Sequence, residues 1–302
     1  LSEYQYYEFL AVGRPLDHTA MAALRQISSR ARITATSFSN HYEWGDLKAN
    51  PIEMLAEHFD LHVYVANWNT RVFAMRLPRA LVDLDEIERF AIDKELLRLR
   101  EIGEYLIVEV TIQELQLDEA DDGEGWLAAL APLRAAVLRG DLRLFYLLWL
   151  LEVSFEDWIP DDASEPLSGL GMLDAALSAF ADFLDLDGDL LTAAAEGQNE
   201  SSSQQPSQAA VEVAIRSLDD AEKTQLLLDL HRGENQHLSI ALRRRVASLV
   251  GRTADTALGE ARVGCGKRPT GRGRNGMLRP PRTRRRSGSA GMQPKRRPAP
   301  ND

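Results

Sequence analysis

The strongest alternation of apolar and polar positions runs from Leu61 to Leu77. In an extended chain Leu61, Val63 and Val65 leave one face while His62, Tyr64 and Ala66 leave the other. After the polar stretch Asn67-Trp68-Asn69-Thr70, Phe73, Met75 and Leu77 alternate with Val72, Ala74 and Arg76. This pattern predicts an antiparallel hairpin with one face buried. Paired residues share a face, so the register can be tested on paper. A two-residue loop Asn69-Thr70 opposes Val63 with Arg76. A three-residue loop Trp68-Asn69-Thr70 opposes Val63 with Met75 and Val65 with Phe73, and gathers six apolar side chains on one face. The second register is expected, although it asks the β-branched Thr70 to sit where a left-handed residue is usual.

Around this hairpin the pattern predicts a first strand over residues 4–12, a helix opened by Pro15-Leu16-Asp17 and running to Ile27, and a second strand over 32–39. Asn50-Pro51-Ile52-Glu53 carries the features of a helix start, and the helix ends near His58. A helix over 79–92 and a strand over 104–112 follow. The order is that of an α+β fold, close to two split β-α-β units on one antiparallel sheet. Past the acidic loop 118–125 the period becomes helical. Trp126, Leu130, Leu133 and Val137 form one stripe, and residues 144–151 are apolar on all sides, as the buried centre of a bundle requires. Further helices are expected over 170–184 and 190–196, and Leu226, Leu227 and Leu230 form the stripe of another, which Gly233 ends. The domain plan is an α+β domain over 1–117 and a helical bundle packed on it over 118–196. A polar linker over 197–208, a small helical unit over 209–250 and a disordered Arg/Gly/Pro-rich tail over 251–302 complete it.

Composition narrows the function classes. Of the charged residues, 251–302 hold 14 Lys and Arg against 3 Asp and Glu, a balance of +11. The rest of the chain has 21 against 43, a balance of −22. An acidic body disfavours nucleic acid, while the basic tail, with Arg284-Arg285-Arg286, would contact phosphates weakly and without sequence preference. The single cysteine, Cys265, excludes an internal disulfide and a multi-cysteine zinc site and fits a reducing, cytoplasmic setting. The longest apolar run has eight residues, 144–151, against the ~20 that span a bilayer, so no membrane partner is expected. The N-terminus is acidic and shows no signal peptide.

The segments Glu3-Tyr4-Gln5-Tyr6-Tyr7-Glu8-Phe9, Arg14-Pro15-Leu16, Trp44-Gly45-Asp46, Ala66-Asn67-Trp68, Arg76-Leu77-Pro78 and Gly125-Trp126-Leu127 resemble a family of uncharacterised bacterial proteins, over about residues 2–250. That resemblance implies no site, because the family has no established activity. It implies a long charged helix at the C-terminus, from which the Arg/Gly/Pro stretch departs. A GC-rich gene read out of frame gives such a composition, so a native tail and a frame-shifted one both stay open.

Three constellations invite chemistry. His58, Asp60 and His62 stand two apart, which on a strand would put all three on one face as a metal or acid–base cluster. The competing reading makes His58 a helix C-terminus and His62 an outer-face residue. Asp185, Asp187, Asp189 and Glu196 fall at carboxylate positions of a calcium loop, but Leu190 replaces its glycine, which favours Asp187 or Asp189 as a helix cap. Trp44, Asp46, Asn67, Trp68 and Arg71 could line one end of the sheet as a recognition patch, or the indoles could simply cover the core edge. No Gly-rich phosphate loop is present and no cofactor is implied. The leading reading is a non-enzymatic protein-interaction or scaffold protein with a protein partner. The alternatives are a metal-dependent enzyme using His58, Asp60 and His62, and nucleic-acid binding through the tail.

Overall fold

The computed structural model describes residues 4–91, 94–113, 121–155, 170–196, 207–233 and 237–263. The chain divides into two compact units, Leu1–Thr256 and Ala257–Asp302. The first holds an antiparallel sheet of seven strands and then a helical region. The strands are β1 (Gln5–Leu10), β2 (Arg32–Ile33), β3 (Ser37–Tyr42), β4 (Leu61–Ala66), β5 (Thr70–Pro78), β6 (Leu97–Ile102) and β7 (Tyr105–Ile112). They lie in the order β2-β3-β1-β4-β5-β7-β6, every neighbouring pair antiparallel. Helix α1 (His18–Ile27) joins β1 to β2 across β3, and α2 (Pro51–His58) joins β3 to β4 across β1. These are two interlocked split β-α-β units, and β5, β7 and β6 extend the sheet beyond β4.

Local chemistry sets the boundaries. Asp17 caps α1 by accepting from the Ala20 N–H at 2.7 Å. Asn50 caps α2 by accepting from Ile52 N at 2.9 Å, with Pro51 in the first turn. The expected strand over 32–39 is two short strands, β2 and β3, separated by a tight turn in which Thr34 Oγ1 accepts from Ser37 N at 3.0 Å. The expected helix over 79–92 is a single 3₁₀ turn, Arg79–Leu81, followed by α3 (Leu84–Glu88), which Asp83 caps. Strand β6 escaped the pattern because it lies at the sheet edge. Only Leu97 in it is buried, and Arg98, Arg100 and Glu101 face water, as charges on an edge that discourages further pairing.

The hairpin register differs from the expected one. Val63 opposes Phe73, Leu61 opposes Met75 and Ala66 opposes Thr70. The loop is therefore Asn67-Trp68-Asn69, one residue earlier, and Asn69 takes the left-handed conformation at φ 64°. Asparagine enters that region far more readily than a β-branched residue, so the slip removes the strain that Thr70 would have carried. The shift moves each partner by two residues, which preserves the faces. Leu61, Val63, Val65, Phe73, Met75 and Leu77 are all fully buried on one side.

That side packs against α4 (Trp126–Leu138), α5 (Arg143–Phe155) and α6 (Ala175–Phe183) in one apolar cluster. Residues 144–148, 150 and 151 are buried, as the unbroken apolar run requires. The opposite side of the sheet is covered too. Phe9, Phe38, Ala74 and Ile107 pack there against Leu24 of α1 and Leu55 of α2, so the hairpin has two buried faces rather than one. Helices α7 (Gly188–Glu196), α8 (Gln208–Ser217), α9 (Asp220–Arg232) and α10 (Leu238–Val263) complete the described chain. The backbone of α10 stays helical to Val263, thirteen residues into the stretch that composition assigns to a tail. Residues 264–302 and 197–206 lie outside the described residues. Among the described residues no helix is long and apolar enough to cross a membrane.

The loop assignment has a direct consequence. Asn69→Gly should leave urea unfolding within about 0.5 kcal/mol of the parent, whereas Asn69→Val should lose about 1–2 kcal/mol by forcing a β-branched residue into the left-handed region. Equal stability of the two variants would place the left-handed residue elsewhere.

Candidate functional site

Helix α2 ends at His58, and the chain must turn at once into β4. Asp60, in that turn, already continues the sheet. Its N–H donates to the Leu10 carbonyl at 2.9 Å, and its own carbonyl accepts from Arg76 N at 2.8 Å. The side chain leaves the sheet where β1 stops, and it is buried. Oδ2 accepts from the Val12 and Gly13 N–H groups at 2.8 and 2.9 Å. Oδ1 accepts from Arg76 Nη2 at 3.2 Å and from Arg134 Nη2 at 3.1 Å. Burial pushes this carboxyl up, but Arg134, the Gly13 N–H, Arg76 and the Val12 N–H together outweigh it and hold Asp60 below the ordinary carboxylate range.

The two arginines arrive from different elements. Arg76 lies near the end of β5, donates from Nη1 to the Ala56 carbonyl at 2.7 Å and stacks over the Tyr105 ring at 4.6 Å. Arg134 is the only charged residue in α4, and its Nε donates to the Arg76 carbonyl at 2.9 Å. A cleft of about 500 Å³ opens on this cluster. Asp60, Arg76, Pro78 and Tyr105 form its sheet side. Asp229 and Arg232 of α9, with His237 just before α10, form the other. Burial first and the Arg134 charge second hold His237 below its ordinary value, while Asp60 opposes them.

The expected metal set does not assemble. His58 ends α2 beside Glu57 at 3.6 Å, and Asp60 already has four donors on its two oxygens. His62 is fully enclosed, stacked on Phe9 at 4.0 Å, with Nδ1–H donating to the Glu8 carbonyl at 3.0 Å. The two-residue spacing holds a common face only on a strand, and the strand starts at Leu61, after His58 and Asp60. Among the described residues no three His, Cys, Asp or Glu side chains are grouped to hold a metal ion. Asp187 caps α7, accepting from Asp189 N at 2.7 Å and Leu190 N at 3.1 Å. Asp189 and Glu196 both lie in α7, which at ~1.5 Å rise per residue separates them by roughly 10 Å, too far for one ion.

The tryptophan patch is divided. Gln5 pairs with both Tyr42 and Ala66, so the loops carrying Trp44 and Trp68 lie at the same end of the sheet, and both indoles are exposed. Asp46 turns inward and accepts from the Tyr7 hydroxyl at 2.7 Å, and Asn67 Oδ1 accepts from Tyr4 N at 3.0 Å. Arg71 leaves the patch altogether. It is buried on the opposite side of the turn, donates to the Phe183 carbonyl at 2.9 Å and to Asp121 Oδ2 at 2.5 Å, and lies 4.9 Å over Trp126. Its odd position in β5 points it into the apolar cluster, where it closes the end of α6 instead of meeting solvent.

Two features went unread in the sequence. Arg134 was legible in principle, because one arginine stands alone in WLAALAPLRAAVL. The leucine stripe of α9 gives no direction in the sequence, and in the structure Leu227 is 66% exposed and Leu230 67%. Leu228 beside them and Val213 and Ile215 on α8 are exposed as well. No family model, curated protein or solved structure matches the chain.

The titration behaviour follows from burial. Burial pushes His62 down to about 4, so the folded chain keeps it neutral while the unfolded chain protonates it near 6.5. Its contribution is complete above about pH 6.5 and is lost as pH falls through about 4. Unfolding measured across that window should steepen with acid in the parent and flatten in His62→Phe. Asp60 acts below it, because a lowered carboxyl contributes stability above its unfolded value, ~3.9, that is lost as pH falls further. Asp60→Asn should cost about 3–5 kcal/mol at pH 7 by leaving two buried guanidinium groups without their carboxylate, and the gap to the parent should narrow below about pH 4.

Proposed function

We propose that this chain is a non-enzymatic protein-interaction protein. Its contact surface is the apolar face of α9, continued onto α8, and its partner is a protein that presents a basic amphipathic helix. The observation that carries this reading is the outward placement of Leu227 and Leu230, one turn apart on the same helix face. Large apolar side chains grouped on a surface mark contact sites more often than isolated ones do. The charge of the partner follows from the balance of −22 over residues 1–250, with Asp219, Asp220 and Glu222 at the start of α9 itself. Leucine anchors within an acidic surface suit a helix whose apolar stripe is flanked by lysine or arginine. A cytoplasmic setting belongs to the same reading, in keeping with the single cysteine.

Two synthetic amphipathic helical peptides with the same leucine stripe, one flanked by lysines and one by glutamates, test it by fluorescence anisotropy. The lysine peptide should bind at least roughly tenfold tighter. Leu227→Glu/Leu230→Glu should abolish that binding while changing unfolding by no more than about 0.5 kcal/mol, since both side chains are exposed. Equal binding of the two peptides, or binding that survives the double substitution, rejects the proposal.

A further inference from the structure

The cluster at Asp60 is unbalanced. Two guanidinium groups, Arg76 and Arg134, share one carboxylate, and the two arginine side chains are only 10% and 7% exposed. Among the described residues one positive charge is thus enclosed without a carboxylate paired to it. A guanidinium does not shed its proton in a protein, so the imbalance cannot be relieved by titration. An anion entering the cleft would relieve it. Residues at the rim do not change the count, since the other ionised side chains lining the cleft are two arginines, Arg14 and Arg232, and two carboxylates, Glu104 and Asp229.

The donor that would meet such an anion is identifiable. Arg134 uses Nε on the Arg76 carbonyl and Nη2 on Asp60. Among the described residues its Nη1 has no hydrogen-bond partner, and Arg134 lines the cleft. Its positive charge is felt across the space, where, after burial, it is the second cause that lowers the pKa of the His237 ring. Beside it, Pro78 and the Tyr105 ring offer apolar surface. The volume of about 500 Å³ falls within the range of small-molecule sites.

We propose that this cleft binds a small organic monocarboxylic acid, its carboxylate on Arg134 Nη1 and its body against Pro78 and Tyr105, beneath α9. One negative charge matches the one uncompensated cation. A phosphate, with up to two charges, would leave an excess facing Glu104 and Asp229, so a planar carboxylate is the better fit. The site is separate from the leucine face. Asp229 and Arg232 line the cleft, whereas Leu227 and Leu230 are exposed to solvent, so failure of either proposal leaves the other standing.

The experiment titrates the full chain by calorimetry with benzoate, with lactate and, in a third arm, with inorganic phosphate, all at one ionic strength. At least one monocarboxylate should bind saturably to a single site, roughly tenfold or more tighter than phosphate. Arg14→Ala/Arg232→Ala removes two rim arginines that lie outside the Asp60 cluster, and it should weaken that binding about threefold or more with thermal unfolding unchanged. Arg134→Lys should lose the binding. If that variant is unfolded, the rim double variant decides the matter alone. Absence of saturable heat with both monocarboxylates, phosphate binding as tightly as either, or parental affinity in the rim variant overturns the proposal.

Discussion

One carboxylate at the end of a strand holds four parts of this molecule in register. Asp60 takes the loop after β1 through two backbone N–H groups, β5 through Arg76 and α4 through Arg134, while its own backbone pairs on both sides. An enclosed carboxylate is tolerable only because all of these donors reach it, and each arginine is tolerable only because the carboxylate is there. The connection from α2 to β4 is consequently short and fixed, and with it the position of β4, the strand that joins the interlocked β-α-β part to the β5-β7-β6 extension. Arg134 also carries the influence of the cluster from the sheet into the helices, since it is the polar tie between α4 and β5 within an otherwise apolar contact.

The far end of β5 repeats the device with different parts. Arg71 meets the last carbonyls of α6, the carboxylate of Asp121 and the ring of Trp126. Between the two arginine positions the strand is apolar on its inner side, where Phe73 and Met75 are fully buried.

 
Polar anchors at both ends and an apolar middle fix how far the helices can slide along the sheet, which apolar burial alone would leave loosely specified.

This arrangement separates structure from recognition. Asp60 and His62 are both consumed in holding the fold, one as a shared acceptor and one as a neutral ring stacked on Phe9. The outer side of α9 lies apart from both, and among the described residues α8 and α9 bury few apolar side chains. His58, Asp60 and His62 looked like a site because they share a spacing, but spacing becomes geometry only within one element, and here a helix end, a turn and a strand divide the three.

The sequence by itself determined the α+β class, an alternation of strands and helices close to split β-α-β units, the helix starts at Asp17 and Asn50, and the six apolar side chains of the hairpin's inner face. Those are local properties, set by period, capping chemistry and backbone preference within a few residues of each position. Tertiary structure alone decided that the hairpin would be covered on both faces, that β6 would pair at the edge, and that Arg71 would turn inward. It also decided that Arg76 and Arg134, 58 residues apart, would converge on Asp60, and that the leucines of α9 would face water. Each of these depends on which distant surface arrives to cover a residue, and a one-dimensional pattern of apolar and polar positions does not carry that information.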